Sequence, residues 1–226
     1  MPSIFIDNSL DLLNIAVADN VTVLAQQSIS NSEVPSSVIA VELSRTLERA
    51  GIEMKSIGTV FATLGPGSFT GIRVSLAFCK GICAAMDLPL IGVPTLDVLA
   101  QPFSTMEGSF LCPLIDAKKG EVFTCLYHVS EGVLRNISGY RSLKPADVPH
   151  FIRKPCICFG TGTPICEQFL VDAEGVRLEK NTYDQIRIPA FVSAGNIQLK
   201  NETQYETKPI YGRKSEAEIK FNLTVA

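Results

Sequence analysis

Two stretches of this chain, one in each half, follow a single plan. SIFIDNSLDLLNIAVA near the start and LCPLIDAKKGEVFTCLY after residue 110 are each an apolar strand ending in Ile-Asp, a polar turn, and a second apolar strand. Asp7 and Asp116 hold the same place in the two halves. A repeated strand–Asp–turn–strand unit points to a duplicated fold rather than two unrelated lobes. With 226 residues the chain has length for one bilobal domain or two small ones. The repeat divides it into a first lobe over 1–108 and a second over 109–226.

The first lobe reads as α/β. Residues 3–6, 13–18 and 21–29 form a three-strand meander. Pro35, with Ser36 and Ser37, opens a helix that runs to about Ala50 and is stopped by Gly51; Ile39, Leu43, Leu47 and Ala50 line its buried side. A buried strand over Ile57–Leu64 breaks at Gly65-Pro66-Gly67, and a helix follows from about Thr70 to Met86. A strand near Leu90–Val93 and a helix from Pro94 to about Gln101 complete the alternation, which defines the α/β class. In the second lobe Phe110–Asp116 turns at Lys118-Lys119-Gly120 and returns as Glu121–His128. Beyond residue 130 the pattern supports a strand at 156–159 and helices over Pro164–Val171 and Pro189–Leu199.

The segment Gly65-Pro66-Gly67-Ser68-Phe69-Thr70-Gly71-Ile72-Arg73 is the most specific in the chain. Glycines between a strand and a helix let backbone N–H groups converge at the helix's positive end, where an anion can bind. The segment is neither a Walker A loop, lacking Lys-Ser or Lys-Thr after its last Gly, nor a dinucleotide fingerprint, because its glycines sit at GxGxxxG. The other reading, which the spacing favours, is a tight turn packing the helix close to the sheet, capped by Ser68 or Thr70. Asp7 and Asp116 likewise have two readings: carboxylates around a hydrated metal, or side chains that each satisfy their own turn. No run of glycines follows either strand end, and the turn reading is favoured.

Composition excludes several classes. Hydrophobic residues at 46% and charged residues at 19% supply a core and exclude disorder. Net charge is −3; residues 1–110 carry 5 basic and 10 acidic groups, leaving 15 and 13 in the remainder. Neither half is basic enough to grip nucleic acid unaided, so a nucleic-acid substrate requires a second protein. The start lacks Lys and Arg and carries Asp7 and Asp11, unlike a signal peptide, and the most apolar region is broken by Arg73, Lys80 and Asp87. Seven cysteines, an odd number with no CxxC, indicate neither a disulfide framework nor a zinc ribbon. Cys79 with Cys83, and Cys156 with Cys158, are expected to be small core residues. His128 and His150 stand alone, with no HxxxH pair, which excludes a His-rich metal centre. These features predict a cytoplasmic protein with no membrane span.

The helix over 70–86 carries the inference about partners. Its charges up to Met86 are Arg73 and Lys80, and its remaining positions, apolar or small, sweep about 220° of the circumference. A single sheet contact needs ~100°. The surplus includes Ile72, Leu76, Cys79 and Cys83, beside Val38 and Val41 of the preceding helix. Either the chain itself covers this surface, or a helix of another subunit does.

The opening FIDNS, the segment GPGSFTGIRV followed by KG, IDAKKGEVF, and the tail PIYGRKSEAE together resemble the TsaB (YeaZ) family over residues 1–128 and about 208–218. The resemblance implies a two-lobed actin/Hsp70/sugar-kinase-like (ASKHA) duplicated fold. It also implies a non-catalytic, pseudo-ATPase partner of TsaD, which moves a threonylcarbamoyl group onto the adenosine beside the anticodon of certain tRNAs. Family members pair through first-lobe helices with TsaD or, when alone, as a homodimer. The ATPase TsaE joins the complex, and tRNA is met only through it. The resemblance assigns Val38, Val41, Arg45, Ile72, Arg73, Leu76, Cys79, Lys80 and Cys83 to the partner interface, with Tyr211 and Arg213 of the tail nearby. It implies no intrinsic cofactor and places a nucleotide, where one is bound, at the TsaD interface. Three departures stand out: Glu33–Ser37 replaces a usual His-Ser-Glu, Ser75 replaces a usual Gly and is expected to hold a partner further off, and Cys79 and Cys83 are unusual. The rival reading is a small magnesium-nucleotide phosphotransferase of the same fold, using Asp7 and Asp116.

Overall fold

The structure is a computed structural model, and it describes residues 1–30, 38–179, 187–200 and 207–212. In the first lobe, strands β1 (Pro2–Asp7), β2 (Leu12–Asp19), β3 (Thr22–Ser30), β4 (Thr59–Thr63) and β5 (Leu90–Val93) form a sheet in the order β3-β2-β1-β4-β5. In the second, β6 (Phe110–Asp116), β7 (Val122–Thr124), β10 (Arg141–Leu143), β11 (Cys156–Phe159) and β12 (Val176–Glu179) run β10-β7-β6-β11-β12. The two paths are the same topology used twice. A hairpin strand, β8 (Tyr127–Ser130) with β9 (Val133–Asn136), is added beside β6. The repeat seen in sequence therefore extends to the sheet: β1 and β6 each pair antiparallel with the next strand and parallel with the strand that follows a crossover.

The period of two along β1 explains how the first lobe packs. Ile4 and Ile6 point to the face covered by α1 (Val38–Ala50) and α2 (Phe69–Met86), with Leu13, Ile15 and Val60 beside them. Phe5 points the other way, stacked on Phe61 with ring centroids 4.4 Å apart, and α6 (Ile188–Lys200) lays Phe191 edge-on against it at 5.3 Å. Gly195 is required there, since a Cβ would stand 2.8 Å from the Phe61 ring. This second core also takes in α3 (Thr95–Ala100) and, from the other lobe, Leu111, Phe123, Tyr127 and Phe159, so it cements the two lobes. Two further helices, α4 (Val148–Phe151) and α5 (Thr163–Leu170), belong to the second lobe.

Phe69–Met86 is long and apolar enough to cross a membrane by length and composition, with a mean hydropathy of 1.3. In this fold it is a sheet-packed helix, with Ile72, Leu76 and Cys79 in the first-lobe core. The expected opening of α1 at Pro35-Ser36-Ser37 lies outside the described residues.

Candidate functional site

The two aspartates of the repeat sit at the ends of β1 and β6, and both are turn residues. Asp7 is completely buried; its Oδ1 accepts from the Ser9 backbone N–H (3.0 Å), the Ser9 hydroxyl (2.5 Å) and the Thr63 hydroxyl (2.7 Å). Its Oδ2 accepts from the Asn14 side-chain amide at 2.8 Å. Burial raises this carboxyl above its ordinary pKa, against the lowering pull of those donors. Asp116 accepts from the Lys118 backbone N–H at 2.7 Å and forms an ion pair with the Lys118 ammonium at 3.2 Å.

The glycine segment is built around the first of these turns. The Ser68 N–H donates to Ser9 O at 2.7 Å, and Ser68 Oγ caps α2 by accepting from the Gly71 N–H at 3.2 Å. A Cβ on Gly67 would lie 2.1 Å from Ser9 O, and one on Gly71 would lie 2.0 Å from Asn8 O. The backbone of Asn8-Ser9 thus fills the space over the turn that a phosphate would need, and the Ser68 and Gly71 amides are already spent. The turn is filled by the chain's own backbone, and the segment is a clasp that sets α2 close to the sheet. Of the two cap candidates, Ser68 serves and Thr70 lies within the helix.

The residues expected at the partner interface divide into two groups. Ile72 (0% exposed), Leu76 (3%), Cys79 (0%) and Cys83 (8%) face the sheet and cannot present a surface to another subunit. The physical reason is their helical spacing: these four side chains share one stripe, which lies in the first-lobe core, with Val74, Phe78 and Ile82 partly buried beside it. Ser75 is buried on the same side, with its hydroxyl bonded to Gly71 O and Ile72 O, so it does not set the distance to a partner. Arg73 and Lys80 are on the open side, where α2 also shows Ala77, Gly81, Ala84 and Ala85. On α1, Val41 is half exposed and Val38 partly buried. Arg45 is exposed and ion-paired to Glu42 at 2.5 Å. The open side is therefore different in character: Ala77, Gly81, Ala84 and Ala85 with two cations, flanked by the partly exposed Val74, Phe78 and Ile82 and by Phe69 at the helix start.

A contribution absent from the spacing argument comes from Phe69 and the tail. Residues 207–212 cross the glycine turn, where the Ile210 N–H donates to Leu64 O at 2.7 Å. Tyr211 accepts from Arg73 Nε at 2.9 Å and its ring lies 5.0 Å from that of Phe69. The Arg73 guanidinium sits 3.9 Å from the Phe69 ring centroid. Tyr211 thus lies at the start of α2, while Arg213 lies outside the described residues. The seven cysteines are all buried free thiols, and Cys156 and Cys158 are core residues with Sγ atoms 4.0 Å apart. His128 stacks on Phe110 and His150 is exposed in α4.

Comparison with known proteins agrees with this architecture. The family model described as TsaD: tRNA N6-adenosine threonylcarbamoyltransferase matches residues 32–221. The chain is 26% identical over 181 residues to the tRNA threonylcarbamoyladenosine biosynthesis protein TsaB of Bacillus subtilis, covering 78% of each. It is 29% identical over 142 residues to the TsaB of Escherichia coli, covering 62% of this chain and 61% of that one. A solved Pseudomonas aeruginosa protein described as similar to the peptidase YeaZ superimposes with a TM-score of 0.77 at 20% identity, over 94% of this chain and 99% of the other. With a duplicated, two-lobed α/β fold and a match spanning most of its length, the chain belongs to the TsaD family and, within it, to the TsaB (YeaZ) group.

Proposed function

We propose that this chain is a binding subunit in tRNA threonylcarbamoyladenosine synthesis, which engages TsaD through the open face of α1 and α2 and contributes no catalytic group. TsaE joins through the complex, tRNA is met there, and any nucleotide belongs to the joint surface with TsaD. The observation that carries the reading is the outer side of α2: Ala77, Gly81, Ala84 and Ala85 are exposed along a helix whose other side is fully used by the sheet. Small residues let a second helix approach closely, as subunit contacts between helices require. The filled hydrogen bonds of Asp7 and the Lys118 pairing of Asp116 support a non-catalytic role.

Light-scattering chromatography of the chain with TsaD of the same organism tests the reading. A heterodimer is expected, lost in Ala77→Trp and Val41→Glu while circular dichroism stays native, since both side chains are exposed. Unchanged binding by both variants, or no complex with TsaD, overturns it. Stabilisation of the isolated chain by a magnesium nucleotide would favour the phosphotransferase reading instead.

A further inference from the structure

We infer that α2 offers its partner a cationic track, Arg73 and Lys80, made to receive two carboxylates spaced about two turns apart on a facing helix. The inference rests on the binding-subunit reading and goes on to specify the chemistry of the surface that docks.

Charge on the open face is unevenly distributed. The four charges of α1, Glu42, Arg45, Glu48 and Arg49, cancel; α2 adds two cations and no acid, in a chain whose net charge is −3. No carboxylate pairs with Arg73 or Lys80 among the described residues, whereas Arg45, Lys55 and Lys118 each have one. Arg73 is also held in place. Phe69 lies under its guanidinium, and Tyr211 takes the Nε hydrogen. That leaves the two terminal nitrogens, the pair that grips a carboxylate through two parallel hydrogen bonds. A side chain fixed beforehand loses less entropy on binding than a free one.

Lys80 lies seven residues on, so the two cations stand on one stripe about 10 Å apart along the axis. Ala77 lies between them and Ala84 beyond, both exposed, so a facing helix can reach close enough for carboxylates seven residues apart to meet both charges. The small, uncharged floor also argues for protein over RNA. Two cations neutralise too few phosphates for useful nucleic-acid affinity, and alanines offer nothing to a sugar–phosphate backbone.

The test is titration calorimetry of the full chain with TsaD at low and high salt, using Arg73→Glu, Lys80→Glu and Ala77→Trp. Both cations are exposed, and Lys80 makes no hydrogen bond or ion pair among the described residues, so its variant keeps the fold whatever happens at the Phe69–Tyr211 cluster. Each charge reversal is expected to weaken binding by about tenfold or more and to flatten its salt dependence. If both reversals bind with the native affinity and salt slope while Ala77→Trp does not bind, the track is wrong and the docking face stands. If Ala77→Trp also binds normally, the face itself is wrong. Reversals that weaken binding of free tRNA but leave TsaD untouched would overturn the track in favour of RNA.

Discussion

Tyr127, from the second lobe, donates its phenolic hydrogen to Asp97 of the first at 2.5 Å. Tyr140 donates to the same carboxylate oxygen at 2.7 Å. One partly buried acceptor thus ties α3 to Tyr127 and Tyr140 across the lobe boundary, beside a core to which both lobes contribute Phe5, Phe61, Phe123 and Phe159. Tyr127→Phe removes a donor and leaves that carboxylate short of one partner, which is expected to cost about 1–3 kcal/mol. Urea unfolding would register it as a lower midpoint at an unchanged slope.

Asp97 also makes stability depend on pH. Burial raises its folded-state pKa above the ordinary carboxylate value, despite the two phenol donors. A group with a raised folded pKa binds its proton more tightly in the native state. Its contribution is full below the unfolded pKa of about 3.9 and is lost as pH rises through the folded value. The stability difference between the native chain and Asp97→Asn should therefore shift against the native chain as pH rises from about 4. A difference that stays flat with pH would contradict it. Cys125, Tyr127 and Tyr140 are the groups facing Asp97, and all three stay neutral across that window because burial raises each of them.

Two glycines in one helix should respond to alanine in opposite directions. Gly71→Ala forces a methyl to within 2.0 Å of Asn8 O, so the β1–β2 turn or the start of α2 must move. The expected loss is about 1–3 kcal/mol. Gly81 is exposed with nothing within 4 Å of an added Cβ, and Gly81→Ala should gain about 1 kcal/mol from helix propensity. Thermal melts of the two variants check both signs.

The seven thiols should be silent in the native state. All are buried, and burial pushes Cys125 and Cys166 up to about 12, so thiolate is scarce at mildly alkaline pH. Labelling with a chromogenic disulfide is expected to wait for denaturant and then to reach seven equivalents. Prompt labelling of native protein would show a thiol at the surface.

The sequence carried the first lobe well because its signals are local and repeated. The strand ends at Asp7 and Asp116, the glycine break after β4 and the strand–helix alternation of the first lobe all survive in the structure. Beyond residue 130 the strands β9, β10 and β12 went unread, being three or four residues long with mostly polar sequences such as Arg141–Leu143. Pairing with distant strands, not propensity, makes them strands. The face of α2 was misread for a different reason. Counting Ala and Gly as apolar widens the arc without adding area, so Ile72, Leu76, Cys79 and Cys83 fall into the surplus although they are the buried centre of the helix's contact with the first-lobe core. The Asp97–Tyr127–Tyr140 cluster had no sequence signal, because its members are 30 and 43 residues apart and meet only through the fold.

The tail that crosses the glycine turn has a consequence for how the protein is made. Arg73 and Tyr211 are 138 residues apart, and the Ile210–Leu64 hydrogen bond spans a similar stretch. A chain growing from its N-terminus can fold the first sheet and both of its helices while most of the second lobe is still untranslated. Until residue 211 emerges, however, the guanidinium of Arg73 lacks the phenol that steadies it. A truncated or stalled product would carry α2 without the Tyr211 phenol beside Arg73.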